Sequence, residues 1–344
     1  MPEEAKLPWY KRKKFIIPMA ALAVMILCSL VIMLVNYRFP HFFNLVVQED
    51  GQVTAEPLAE ESEIKAPPAN TTSGLVIVDT MIVIGDDLFS NWLPNDKIYP
   101  TIFLDNPQNF QLGALEMMRY TSRSMRDSLF RLGSSEAMDP DCDAAFTLLS
   151  NDPKKWLFPS AESRYRGDKG ALSKFRSLRN RLVAGETTFY PRYDNLQDLI
   201  HQYMSLLGDI NNRLANAPDN QRTRRALSGG TLPPQSGEQF GMIKVPWTEI
   251  DDNFYYAQGA AYVLRQMMVA IKYDFAKTLE DRNAVQQVDN IIAVLDQCQF
   301  EPLIVLNGDI GSITANHSME LHSLMENTRQ RLRNLEEMLG KSAL

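Results

Sequence analysis

Residues 246–275 read PWTEIDDNFYYAQGAAYVLRQMMVAIKYDF, and the fold class turns on them. Ile250, Phe254, Ala257, Ala261, Leu264, Met268, Ile271 and Phe275 recur at alternating steps of four and three, the spacing that lines one stripe of an α-helix. The segment opens with acids. Thr248 followed three residues later by Asp251 resembles a capping box, with Asp in place of the usual Glu or Gln. Glu249, Asp251 and Asp252 fall in the first turn, where the helix dipole favours negative charge. Pro246 and Trp247 precede it, and Trp247 can staple onto that turn. Glu249 and Asp252 also share a face at i, i+3, so a functional carboxylate pair or an incomplete metal site is the competing reading. A metal would need further converging ligands from a second element.

Working outward, the same period recurs. Within 109–133 it is carried by Leu115, Met118, Ser122, Met125, Leu129 and Leu132. Within 192–217, bounded by Pro191 and Pro218, it is carried by Leu196, Leu199, Tyr203, Leu207, Ile210 and Leu214. Val285, Val288, Ile292 and Leu295 continue it after a break near Asp281, and Leu321, Leu324, Thr328, Leu332, Leu335 and Leu339 form a final helix. Residues 161–184 give a shorter helix. SGLVIVDTMIVIGDDLF (73–89) fits either helix or buried strand; its length favours helix. The Gly-, Pro-, Ser- and Arg-rich stretch 218–247 reads as a linker. The expectation is a mainly α protein with two coupled helical subdomains, 74–217 and 248–344, packed as bundles.

The other end of the chain sets a compartment. KRKKFIIPMAALAVMILCSLVIMLV contains, over 15–35, no ionisable side chain except Cys28. At about 1.5 Å per residue this run reaches roughly 31 Å, against a bilayer core of about 30 Å. Pro18 falls in the first turn, where a missing N–H costs little. A signal peptide has a shorter apolar region and a small-x-small cleavage site; here bulky NYRFPHFF follows. Lys11, Arg12, Lys13 and Lys14 precede the run and only Arg38 lies close after it, so positive-inside topology puts residues 1–14 in the cytoplasm as a short tail and the remainder outside. Residues 36–73 form an interfacial segment and a stalk. Its 44–73 part, with six acids, one lysine and three prolines, is too polar to build a core.

The exported part holds 30 basic residues (35 minus 5) and 40 acidic ones (42 minus 2), a net charge of −10, which argues against nucleic acid as a partner. Residues 154–192 run the other way, with ten Lys/Arg and three acids, while 74–153 nets −7. Arg164, Arg166, Lys169, Lys174, Arg176, Arg179 and Arg181 make either an anion-binding face for lipid headgroups, an envelope polymer or an acidic protein, or a helix face neutralised by that acidic segment. Cys142 and Cys298 are either a disulfide pair, which an exported location permits, or two buried thiols. Cys142 sits among aspartates that disfavour a thiolate. His317 falls on the apolar stripe of the last helix and reads as a hydrogen-bonded core histidine; with the carboxylates it is the other polar candidate. His322 diverges from it by about 140° around the helix, so the two make no metal pair. His201 falls off its own stripe. Gly308 and Gly311 precede the last helix without the remaining pattern of a nucleotide loop. These residues define no catalytic group, metal site or cofactor.

Four segments, PWTEIDDNFYYAQGAAYVLRQMM, LDNPQNFQLGALEMMR, WLFPSAESRYRGDKGAL and LNGDIGSITANHSMELH, resemble an uncharacterised family of single-span inner-membrane proteins of Gram-negative bacteria. The resemblance implies a bacterial inner-membrane location with the bulk in the periplasm, and transfers no activity. Three functions stand as expectations. The first is a membrane-anchored helical interaction or scaffold protein whose partners are the bilayer and other envelope proteins. The second is an envelope enzyme or binding protein with a cleft between the helical halves. The third is a sensor input subunit acting through a partner.

Overall fold

The computed structural model describes residues 13–36, 43–47, 53–57, 72–96, 105–133, 135–215, 250–300, 302, 305 and 316–340. Among these the chain is mainly helical, in the order α1 (Lys13–Asn36), β1 (Phe43–Val47), β2 (Val53–Pro57), α2 (Leu75–Leu88), α3 (Asp105–Ser124), α4 (Pro140–Leu149), α5 (Ala161–Tyr165), α6 (Ala171–Val183), α7 (Tyr193–Ala215), α8 (Ile250–Asp274), α9 (Ala276–Asp281), α10 (Val285–Asp296) and α11 (His317–Gly340). One π-helical turn, Met125–Leu129, extends α3. The ambiguous segment at 73–89 is helix α2, and the break near Asp281 separates α9 from α10. The tail 1–12 and the linker 218–247 lie outside the described residues.

The helix that opened the sequence reading is the centre of the molecule. The stripe predicts one buried face, but α8 is buried on every side from Ala257 to Ile271. Two of its buried polar members, Gln258 and Arg265, meet partners across the core. Gln258 donates to the carbonyls of Cys298 (3.1 Å) and Phe300 (2.6 Å). Arg265, only 4 % exposed, reaches Asp296 at 3.0 Å. A helix surrounded by protein must satisfy such groups internally, since leaving one unpaired costs about 1–3 kcal/mol.

Helices α3, α10, α2, α7 and α11 pack around α8. On one side Asn109 meets Asp252, Gly113 meets Tyr256 and Ala114 meets Gly259. These pairs climb together, so α3 and α8 run in the same direction. The approach is very close: a Cβ built on Gly113 would fall 1.9 Å from the Tyr256 carbonyl oxygen, and one on Gly259 1.9 Å from that of Phe110. On another side α10 runs antiparallel, tied by Lys272–Asp289 (2.6 Å) and Arg265–Asp296 (3.0 Å). The N-terminus of α2 meets the C-terminus of α8. There the Asp274 carboxylate accepts the backbone N–H groups of Gly74 (2.9 Å) and Ile77 (2.8 Å). In this way a side chain about two hundred residues away caps a helix whose own N-cap, Gly74, offers no side chain.

Helices α7 and α11 form an antiparallel pair, Gln197 bonding the Glu336 carbonyl at 3.0 Å and Asn211 bonding Glu326 at 2.8 Å. Buried residues of 74–217, such as Leu115, Phe175 and Tyr203, join those of 248–344, such as Phe254, Leu295 and Leu332, in a single cluster. The coupling between the two halves is a shared core.

The expected structureless stalk is partly ordered. β1 and β2 pair antiparallel from Phe43↔Pro57 to Val47↔Val53. Asp50-Gly51 in the intervening five residues is a strong hairpin signal that the stalk reading did not use. Helix α1 differs from all the others. Residues 16–31 are exposed throughout apart from Ser29, whose hydroxyl returns to the Met25 carbonyl at 2.6 Å. Its side chains are described over 16–31 alone, and among the described residues no helix is long and apolar enough to cross a membrane.

Candidate functional site

The first-turn acids of α8 sit beside the first turn of α3. Asp252 accepts the Asn109 amide at 2.6 Å, and Asp251 accepts the backbone N–H of Asp252 at 3.2 Å. Burial pushes the Asp251 carboxyl above its ordinary range, and the neighbouring Asp105 carboxylate adds to the shift. Glu249 and Thr248 lie outside the described residues. His317 is half-buried at the start of α11, its ring 6.2 Å from that of Phe300, which in turn packs on Phe254 at 5.4 Å. Thus Asp252 is turned toward α3, while His317 rests on the aromatic contact beneath the 298–300 turn. Among the described residues no group of three or more His, Cys, Asp and Glu side chains could hold a metal ion. Beside His317, Asn316 accepts the Met319 N–H at 3.0 Å, so this Asn caps α11. His201, 72 % exposed, lies 3.5 Å from Glu336.

The basic helix is where most of the electrostatics is spent. Along α6, Arg176 bonds both carboxylate oxygens of Asp86 at 2.6 Å, and Arg179 meets the buried Asp79 of α2 at 2.6 Å. Lys174 lies 3.9 Å from Asp141. Arg181 forks onto Asp139 (3.1 and 2.8 Å) and Asp141 (2.9 Å). Asp139 is the N-cap of α4, accepting the N–H groups of Asp141 and Cys142, and takes a further bond from Thr187 at 3.0 Å. Hydrogen bonding to Asp139 lifts the Arg181 pKa further above the arginine range. The acidic 74–153 segment therefore neutralises Lys174, Arg176, Arg179 and Arg181, and these four act as pins between α6, α2 and α4. Arg164 is half-buried, and Arg166 and Lys169 are exposed.

Truncating Arg181 to Met should leave Asp139 almost fully buried without its counter-ion. Breaking a buried pair costs about 3–5 kcal/mol, and the partial exposure of Arg181 reduces this to roughly 2 kcal/mol. Arg181→Lys should recover only part of the loss, because one ammonium cannot span both carboxylates in a fixed fork. Thermal unfolding of the two variants against the native chain checks this. Equal stability of all three would mean that the fork contributes nothing.

Cys142 and Cys298 are both buried and both free, the second of the two alternatives, and not the disulfide pair. Cys142 lies in α4 among Asp139 and Asp141; Cys298 follows α10, its thiol 3.6 Å from the Val294 carbonyl. Burial raises the Cys142 thiol well above its ordinary pKa and that of Cys298 to about 12, so both are inert hydrophobic fillers.

The sequence reading counted the lysines of 152–160, DPKKWLFPS, and quoted WLFPS for its resemblance, but gave its apolar residues no role. Trp156, Leu157 and Phe158 are 51, 69 and 92 % exposed. The signal was three adjacent large apolar residues behind two lysines, outside any helical stripe. The underside of the turn is held firmly. Trp92 donates to the Pro153 carbonyl at 3.0 Å, and the Lys155 carbonyl takes both the Asn95 amide (3.2 Å) and the Ala161 N–H (3.0 Å).

These features define a mainly helical protein built around one buried central helix, with its interior charges paired across helices as structural ties. The chain belongs to DUF2333, a family of uncharacterized proteins conserved in bacteria, whose family model matches residues 9–342. Neither a curated protein nor a solved structure matches it.

Proposed function

We propose that this protein is a single-pass, membrane-anchored helical interaction or scaffold protein of the bacterial cell envelope, N-terminus in the cytoplasm and bulk in the periplasm. One observation carries the reading. Helix α1 spans Lys13–Asn36, and its described side chains, Ser29 apart, are overwhelmingly apolar and exposed around the circumference. An all-round apolar helix needs cover, and in water such a surface would be an aggregation hazard. A rod of 24 residues is roughly 36 Å long at about 1.5 Å per residue, which suits a hydrocarbon core of about 30 Å. The four basic residues immediately before and within its start set the orientation. Scaffold rather than catalyst is favoured by the use of the interior charges: Asp79, Asp139, Asp141, Arg179, Arg181 and Asp274 all bond neighbouring helices.

A reporter pair fused after Leu344 tests the topology. Alkaline phosphatase, which needs an oxidising compartment, should be active there, and β-galactosidase inactive. The reverse pattern overturns the reading. Chemical crosslinking in intact envelopes tests the scaffold role, with specific co-purifying envelope proteins as the expected result and a chain that crosslinks to nothing as the contrary one.

A further inference from the structure

We infer that the Trp156-Leu157-Phe158 turn is a membrane-docking tip that inserts into the interfacial region of an anionic bilayer. The inference does not depend on α1 spanning a membrane. It rests first on the contrast between the turn's underside and its tip. The carbonyls of Asn151, Pro153 and Lys155 are held by Arg119, Tyr165, Trp92 and Asn95. Beneath them Trp92, Tyr165 and Phe89 form an aromatic cluster, with ring centroids 4.9–5.4 Å apart. The chain therefore fixes this turn and still leaves its next three apolar side chains in solvent. Outside α1, the other large exposed apolar residues among those described (Leu132, Met138, Val183 and Tyr193) are isolated from one another in sequence.

The second support is charge. Lys154 and Lys155 precede the tip and are exposed, as are Arg166 and Lys169 after it. From 152 to 169 five basic residues face three acids, and of these Glu162 is engaged with Asn95 at 2.8 Å. This local surplus of positive charge stands in a chain of net charge −7. An apolar wedge rimmed by lysines matches the bilayer interface: Trp is favoured at headgroup depth, lysine stems lie along apolar surface with their ammonium groups in water, and anionic lipid attracts the rim.

The test uses the full chain with Cys28→Ser and Leu157→Cys, labelled with an environment-sensitive fluorophore and reconstituted into vesicles of phosphatidylcholine alone or mixed with phosphatidylglycerol. The buried Cys142 and Cys298 should not take the label. We expect blue-shifted emission and quenching by spin-labelled lipid in the anionic vesicles. A label at Val183→Cys, an exposed position on α6, should stay unquenched. Lys154→Glu with Lys155→Glu, or high salt, should weaken docking by roughly tenfold or more. Both lysines are exposed, so the fold should be unaffected. A Leu157 label as water-exposed as the Val183 one in both vesicle types overturns the inference. So does a label that becomes apolar only when envelope proteins are added, which would make the tip a protein-docking site. Alkaline carbonate extraction of the same samples reads the anchor separately. A chain that stays in the pellet with an unquenched Leu157 label retains the anchor and loses the docking tip.

Discussion

Gly113→Ala and Gly259→Ala will each destabilise the protein by on the order of 3 kcal/mol or more, at the upper end of what overpacking costs. Two effects compete. Alanine is the better helix former, worth about 1 kcal/mol over glycine in a helix interior. Against this, each new methyl group would be 1.9 Å from a backbone carbonyl oxygen of the facing helix. A backbone atom cannot rotate aside as a side chain can, so α3 and α8 must separate along their shared length. The clash wins, and because one separation accommodates both methyl groups, the double variant should cost less than the sum of the two single ones. Gly208→Ala supplies the contrast. It also lies inside a helix, α7, but its nearest neighbour is the Arg329 guanidinium at 3.6 Å, an ordinary contact. That variant should gain about 0.5–1 kcal/mol from propensity alone. Chemical or thermal unfolding of the four variants reads all of this at once. If Gly113→Ala and Gly208→Ala shift stability in the same direction, the close helix contact is not what those glycines serve.

Asp274→Ala should remove about 2–5 kcal/mol, because it strands the buried N–H groups of Gly74 and Ile77 at about 1–3 kcal/mol each. The effect should also depend on pH. Complete burial pushes the Asp274 carboxyl up to about 7, against the pull of the backbone N–H groups of Ile77, Gly74 and Val76, with the nearby Asp79 carboxylate adding to the rise. Asp79 is itself balanced by Arg179 at 2.6 Å. An unfolded aspartate titrates near about 3.9, so between that value and about 7 the folded state holds a proton that the unfolded chain has released. Stability from this group is therefore fully present below about pH 4 and is lost as pH rises through about 7. Asp274→Asn stays neutral throughout and keeps one acceptor oxygen. The difference in unfolding free energy between native chain and Asn variant should shrink or reverse from about pH 5 to about pH 8. A difference constant across that interval would mean that Asp274 does not titrate there in the fold.

Local periodicity located most of the helices, but it passed over α4 and read α5 and α6 as one helix over 161–184, and it was an unreliable guide to their surroundings. The stripe from Ile250 to Phe275 located α8, but not that Gln258, Arg265 and Gln266 on its other faces would be buried too. Gln258 and Arg265 look solvent-facing because a sequence displays their polarity and hides the carbonyls and the carboxylate that answer it. The basic run 154–192 was legible as charge. Which of its members are tied down was settled by α6 lying against α2 and α4, where Arg176, Arg179 and Arg181 find aspartates 40 to 100 residues away. Cys142 and Cys298 show the same limit, since pairing depends on a distance in space. The WLF tip was visible as letters, yet only the fold shows those side chains turned outward on a clamped turn.

What the sequence determined by itself was the helical class, the approximate limits of most helices, the apolar N-terminal rod and the opposed charges of 74–153 and 154–192. All of these follow from forces acting within a few turns of chain: periodic burial, capping and side-chain polarity. Tertiary structure decided that α8 is enclosed, that α3 meets it through Gly113 and Gly259, that Asp274 caps α2, and that Trp156, Leu157 and Phe158 stay outside the core. Each of these depends on which distant segments share a volume, a property set by packing among many helices at once and carried by no local stretch of sequence.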